Sequence, residues 1–383
     1  MHLERGATYL AKGPLRIQLH AGEVESRGIR FSSDGQPIVV KAWECFDLTV
    51  VEDCEAWITG NGGLQRVQSA YPDPWISFLE DLTSRGKSTV VFLGTSDTGK
   101  STLCTLALNA IARTGRPVAL VDSDVGQSDV GPPTTVGLGA STSPVPRLSE
   151  LKLLDAFFAG DTSPAYCLQE VIWGTGEMVR EGRSRGGWLL VDTCGLCTGS
   201  LGQYLVRQLI EVIEPDLLVA LQRGDELRYL GDSQSVIYLP PLQTSGKDVE
   251  SRRAFRLSQY LSWLRLSSKR TYDLSRIRAE GYLARRRGQH CPGASLLESP
   301  NLSPEDLEGL RGAILGLHSG DRYVDLGIMH SVDPKAGTLT VTTNCMEPVD
   351  RIIVGNLILS EHGERRISRR MAAGRRGGLL QGP

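Results

Sequence analysis

Residues 89–102 read Thr-Val-Val-Phe-Leu-Gly-Thr-Ser-Asp-Thr-Gly-Lys-Ser-Thr, and this stretch decides the fold. Within it, Gly94-Thr95-Ser96-Asp97-Thr98-Gly99-Lys100-Ser101 fits the pattern G-x-x-x-x-G-K-[ST]. Holding phosphate takes many donors at short range. Gly94 and Gly99 let the backbone curl so that successive N–H groups converge. Lys100 adds a mobile cation for the outer phosphates, and the Ser101 hydroxyl suits Mg²⁺. Asp97 is unexpected, because a carboxylate inside a phosphate cradle should repel the ligand.

The flanks agree with the loop. Thr89 to Leu93 form an apolar run that reads as a buried strand. Leu103, Leu106, Ala107, Ala110 and Ile111 then recur at helical spacing, and Gly115 and Pro117 close that element. Strand, loop and helix together put the anion at a helix N-terminus. Further strands are expected at 117–122, 152–158, 187–192 and 216–221. A helix carrying Leu205, Leu209 and Val212 is expected before Pro215. Alternating strands and helices predict an α/β fold: a P-loop NTPase with a doubly wound, mostly parallel sheet.

On either side the pattern is β-rich. Leu15–Leu19 and Pro37–Ala42 alternate between Gly- and Ser-rich turns, and 322–332 and 337–343 flank the turn at Asp333-Pro334-Lys335-Ala336. The expected organisation is a β domain over 1–75, the P-loop domain over 76–285, and a β-rich domain over 286–365. A basic tail over 366–383, read as disordered, completes the chain.

The chain has 383 residues, a net charge of −2, and 40% apolar and 22% charged residues. No apolar stretch approaches the ~20 residues that a membrane helix needs. The N-terminus MHLERGATYL lacks the apolar core of a signal peptide, so a cytoplasmic protein with no membrane partner is expected. Eight cysteines without a secretion signal imply reduced thiols. Cys194 and Cys197 form a lone C-x-x-C with no nearby histidine, which argues against redox or metal chemistry. Basic charge is concentrated in Arg285-Arg286-Arg287 and in the arginines from Arg365 to Arg376. Such runs grip nucleic-acid phosphates, or are simply solvated.

Acidic residues stand where chemistry is expected. Asp122 and Asp124 close the strand that should lie beside the loop strand, and Asp192 ends the run Leu189-Leu190-Val191. Carboxylates at strand C-termini in such a sheet face the ligand, and they suit Mg²⁺ and proton abstraction. All six histidines fall outside 76–280, so an Asp is the base at hand. Phosphoryl transfer to a hydroxyl asks little more of a base than orienting the acceptor and taking its proton. Gln222-Arg223-Gly224-Asp225, after the last strand, matches the guanine motif N-K-x-D poorly and favours ATP.

Taken in order, five motifs resemble a family. They are the phosphate loop, D-x-D-V-G-Q at 122–127, Gly160-Asp161-Thr162-Ser163-Pro164, Asp192-Thr193-Cys194-Gly195, and Arg252-Arg253-Ala254-Phe255-Arg256. The set resembles the polynucleotide 5′-hydroxyl kinases of RNA processing: the pre-mRNA cleavage-complex and pre-rRNA-processing kinases and their archaeal relatives. The resemblance covers most of the chain. It implies transfer of the ATP γ-phosphate to the 5′-hydroxyl end of RNA, and possibly DNA. Gly94 to Thr102 would hold ATP, with Ser101, Asp122, Asp124 and Asp192 around Mg²⁺. Asp124 would be the general base, assisted by Lys100, and Arg252 and Arg256 would form an R-x-x-x-R lid. Gln127, Thr162, Ser163, Pro164, Thr193 and Gly195 would meet the acceptor. The family often carries an acid at the position of Asp97. Leu196 departs from the pattern, since members that clasp nucleic acid often have Trp there, and this leaves RNA-versus-DNA preference open. Two other readings stand beside the kinase: a metal-chaperone or targeting NTPase, and an ATP-binding scaffold without catalysis.

Overall fold

The computed structural model describes residues 1–231, 235–242, 249–281 and 301–367. Arg285 to Arg287 and the tail beyond Ile367 lie outside the described residues.

The described residues build three seven-stranded sheets. The first holds β1 (His2–Leu3), β2 (Thr8–Lys12), β3 (Leu15–Ser26), β4 (Ile29–Ser32), β5 (Ile38–Val40), β6 (Cys45–Gly60) and β7 (Gly63–Val67). Its order is β4-β3-β6-β2-β7, with β1 on β6 and β5 on β3, and every pairing is antiparallel. Leu15, Ile17 and Leu19 alternate inward along β3, as a half-buried strand requires.

The central sheet is made of β8 (Thr89–Gly94), β9 (Val118–Asp122), β10 (Thr135–Ser141), β11 (Lys152–Phe158), β12 (Trp188–Asp192), β13 (Leu217–Leu221) and β14 (Val236–Leu239). Its order is β11-β10-β9-β12-β8-β13-β14. From β9 to β14 neighbours are parallel, while β10 runs antiparallel to both β9 and β11. The helices are α1 (Asp73–Ser84), α2 (Lys100–Ala112), α3 (Leu168–Ser184), α4 (Gly199–Ile213) and α5 (Val249–Trp263). Val90 and Phe92 pack with α1 and α2 on one face, while Val91 and Leu93 pack with α3 and α4 on the other. This is why β8 reads as a continuous apolar run rather than an alternating one. The five expected strands are present, but β10 and β14 escaped the sequence reading. Gly137 and Gly139 make β10 look like a turn. A Cβ at Gly137 would come within 1.8 Å of the Val130 carbonyl, so close backbone approach is the reason for glycine there.

The third sheet contains β15 (Ser268–Asp273), β16 (Arg278–Gly281), β17 (Ala313–Ser319), β18 (Arg322–Asp333), β19 (Thr338–Thr343), β20 (Arg351–Ser360) and β21 (Gly363–Arg366). Their order is β15-β19-β18-β17-β20-β16, with β21 on β20. Two expectations need correcting. The boundary at 285 falls after β15 and β16, which pair into this sheet. Arg366, assigned to a disordered tail, is the last residue of β21 and is ion-paired to Asp161.

Packing between the sheets fixes their relation. Phe158 of β11 stacks on Tyr323 of β18, with ring centres 6.4 Å apart and planes within 4°. Tyr260 of α5 is buried in the same cluster. On the other side, Asn109 of α2 donates to the Arg27 carbonyl at 2.8 Å, and Arg27 donates to the Pro146 carbonyl at 2.9 Å. Arg147 pairs with Glu44 at 2.9 Å. These contacts hold the first sheet over the phosphate loop.

Candidate active site

The loop between β8 and α2 has the curvature its glycines permit. Gly99 (φ 92°) and Asp97 (φ 61°) are both left-handed. A Cβ at Gly94 would come within 2.7 Å of the Thr98 hydroxyl and 2.8 Å of the Leu221 carbonyl. Gly99 precedes α2 and supplies no side-chain cap, so the first-turn N–H groups remain open to an anion. The Lys100 ammonium donates to the Thr95 carbonyl at 3.0 Å, on the concave side of the loop.

Asp97 does not face the phosphate position alone. Its carboxylate pairs with the Arg252 guanidinium of α5. Arg223, which follows β13, donates to the Thr95 hydroxyl and to the Asp97 carbonyl, both at 3.1 Å. Sequence reasoning missed Arg223 as a loop contact, because the segment was weighed only as a guanine motif. Arg256, expected beside Arg252 in the lid, instead donates to Glu364 of β21 at 2.5 Å. One helical turn places the two arginines on one face of α5, but the third sheet takes the second.

The three aspartates separate into different roles. Asp192 sits in register with Phe92 on one side and Asp122 on the other. Its Oδ1 is buried and has no hydrogen-bond partner among the described residues. Burial pushes its acid up to about 7, with repulsion from Asp124 and Asp129 adding to this; Lys100 and the Ser101 hydroxyl pull it down. An orphaned oxygen beside Ser101 fits a cation bridging the two, so Asp192 and Ser101 are the residues that would hold Mg²⁺.

Asp122 does not fit that role. Its Oδ1 accepts from the Asp124 amide at 3.0 Å, and its Oδ2 accepts from the Asp129 and Val130 amides at 2.6 and 3.0 Å. It is a buried brace for the loop after β9. Burial, then repulsion from Asp192 and Asp129, hold its acid well above the usual carboxylate range. Asp124 lies on that braced loop. Its Oδ1 accepts from the Gly126 and Gln127 amides, each at 3.0 Å, which fixes the orientation of the carboxyl group.

Lys100, Ser101, Asp124 and Gln127 line one cleft of about 940 Å³ between the phosphate loop and the first sheet, whose Lys12 and Trp43 form the far wall. Thr193 is not in it: its buried hydroxyl donates to the Phe92 carbonyl at 2.7 Å, a structural bond rather than an acceptor contact. Gly195 packs on the loop itself, since a Cβ there would meet the Ser96 hydroxyl at 2.3 Å. Thr162, Ser163 and Pro164 lie outside the cleft lining, but the Thr162 carbonyl abuts Gly126 beside Asp124. Cys194 and Cys197 are buried free thiols in the core, pushed up by burial to about 12 and about 11, which suits packing and not redox chemistry.

Residues 94–265 match the family model described as mRNA cleavage and polyadenylation factor CLP1 P-loop. The match takes in the phosphate loop, its helix and α5, and spans somewhat less than half of the chain. A Thermococcus kodakarensis protein named polyribonucleotide 5′-hydroxyl-kinase is 27% identical over 332 residues, which is 76% of this chain and 94% of that protein. A Methanocaldococcus jannaschii protein of the same name is 27% identical across 72% of this chain and 88% of its own length. A Pyrococcus furiosus namesake reaches 38%, but only over 38% of this chain and 41% of its own. The solved structure of a wild-type Clp1p–Pcf11p complex superposes with a TM-score of 0.70 over 94% of this chain and 97% of that one; at 12% identity it bears on the fold alone.

Proposed function

We propose that this protein is an ATP-dependent polynucleotide 5′-hydroxyl kinase, acting on the 5′-OH ends of RNA and of DNA where the end is accessible. The observation that carries the reading is the shared cleft: the Lys100 cradle and the fixed Asp124 carboxylate line one cavity large enough for a nucleotide. The named activity of the archaeal relatives, which align over nearly their whole length, supports it.

In this reading the α2 N-terminus, Gly94 to Thr102, takes the β- and γ-phosphates. Lys100 leaves the Thr95 carbonyl to neutralise them. Ser101 and Asp192 are the residues that would hold Mg²⁺, which would supply further positive charge near the phosphates. The acceptor 5′-oxygen forms a bond to the γ-phosphorus in line with the departing β–γ bridging oxygen, and ADP leaves with that electron pair. Asp124 takes the hydroxyl proton; the amides of Gly126 and Gln127 keep its carboxyl pointed without protonating it. Arg252 screens Asp97 and adds charge at the loop.

The test is transfer of label from γ-labelled ATP to a 5′-hydroxyl oligonucleotide. Label should appear on the oligonucleotide, and Asp124→Asn should lower turnover by about 10²–10⁴-fold while ATP still binds. Label released only as free phosphate would replace this reading with the NTPase. Tight ATP binding without turnover would replace it with the scaffold.

A further inference from the structure

We propose that Tyr166, backed by Arg366, is a stacking platform for the 5′-terminal base of the acceptor strand. The proposal rests on the kinase reading above and adds a subsite to it.

Tyr166 ends a single 3₁₀ turn, Pro164–Tyr166, and its amide donates to the Ser163 carbonyl at 2.9 Å. The residue is 56% exposed. The Arg366 guanidinium carbon lies 3.7 Å from the ring centre, so a cation covers one face and the remaining ring surface meets solvent. That cation is itself fixed. Arg366 donates to both oxygens of Asp161, at 3.0 and 3.2 Å, and Asp161 is fully buried and also accepts from the Ser163 amide at 2.9 Å. Arginine and carboxylate are 205 residues apart in sequence: Arg366 ends β21 of the third sheet, and Asp161 follows β11 of the central one. A flat aromatic surface, exposed yet held from behind by a doubly bonded arginine, loses little freedom when a base settles on it.

Its position suits the acceptor. Thr162, two residues before that turn, packs so closely on Gly126 that a Cβ there would approach its carbonyl to 2.5 Å. The Gly126 amide in turn holds the Asp124 carboxyl. The ring is therefore tied to the loop that carries the base, and it lies outside the lining of the nucleotide cleft. Asp124 lines the cleft and Tyr166 does not, so an oligonucleotide end that brings its hydroxyl to Asp124 can rest its terminal base on this ring at the rim. Leu196 cannot serve in its place: it has no π surface and packs partly buried against the core. Base–aromatic stacking tolerates any base, so the platform binds the end without reading its sequence. It requires a terminal base free of its own partner, which favours single-stranded or frayed ends.

The experiment uses Tyr166→Ala and Tyr166→Phe in the full chain, at saturating ATP. The acceptors are 5′-hydroxyl oligoribonucleotides whose terminal nucleotide is intact or abasic. Tyr166→Ala should raise KM for the intact acceptor by roughly 5- to 150-fold and leave KM for ATP unchanged, while Tyr166→Phe stays within about twofold of the parent. With the abasic acceptor, parent and Tyr166→Ala should coincide. An unchanged KM in Tyr166→Ala, or an equal loss on both acceptors, overturns the platform. If the parent transfers phosphate to neither acceptor, it is the kinase reading that fails. Fluorescence anisotropy of the same intact oligonucleotide then decides the platform alone: weaker binding by Tyr166→Ala than by the parent sustains it, and equal binding overturns it.

Discussion

Asp192 shows how much one buried atom can say. Its Oδ1 has no partner among the described residues, and burial holds its acid up to about 7. In the unfolded chain the same group ionises near pH ~4. Between those values the unfolded chain gives up a proton that the folded protein keeps, so stability falls as pH rises through that window, by at most ~1.4 kcal/mol per pH unit. Above pH 7 the group is ionised in both states and the loss is complete. The nucleotide-free Asp192→Asn protein should therefore gain thermal stability over the parent, and gain more at pH 8 than at pH 5. Melting curves at the two pH values check this, and parallel shifts would remove Asp192 as the cause. Its position at a strand end beside Ser101 was legible in the sequence. Asp122 looked equivalent because it too ends a strand; only its three amide donors reveal it as a brace.

At the level of elements, α5 reaches the phosphate loop through Arg252. Arg252 meets Asp97, whose left-handed backbone turns the carboxylate toward the helix. Truncating the arginine leaves a negative charge near the phosphates, so Arg252→Ala should weaken ATP binding by about tenfold, the scale of one lost charge-assisted hydrogen bond. Adding Asp97→Asn should restore most of that affinity, and calorimetric titration with ATP measures both. If the double variant binds no better than the single one, Arg252 touches the nucleotide directly instead of screening Asp97. Periodicity located α2 and α4, and apolar runs located β8, β9, β12 and β13. β10 was missed because Gly137 answers to the Val130 backbone in the loop just before the strand, and Gly139 to the Leu151 and Val130 side chains.

Across the whole molecule, β21 clasps two other parts of the chain. Glu364 binds Arg256 of α5, and Arg366 binds Asp161 beside β11. The Arg256 and Glu364 side chains are only 18% and 8% exposed, and removing one partner strands the other in a poorly solvated place. Glu364→Ala should cost about 3–5 kcal/mol of stability in urea unfolding. Replacing both partners by leucine should recover much of that loss. A cost below about 1 kcal/mol would mean that the pair behaves as a surface bridge. Arg256, expected beside Arg252 in the lid, is held by Glu364 at this scale. Spacing can put two arginines on one face of a helix, but it cannot state which neighbour each will meet.

The sequence by itself determined the phosphate loop, its strand and its helix. Those depend on glycine conformations, apolar runs and helical spacing within a few residues, and each is readable locally. It likewise placed Asp192 at the end of a strand and Asp124 just past one, because an apolar run stops where the chain leaves the sheet. The tertiary structure alone decided which aspartate has a free oxygen, that Arg252 and not Arg256 serves the loop, and that a tail arginine backs an exposed tyrosine. The Arg252–Asp97 and Arg366–Asp161 pairings join groups 155 and 205 residues apart, and even the short-range amide donors to Asp122 depend on how the loop after β9 folds back. Their energies depend on burial and approach distance, which no local pattern encodes.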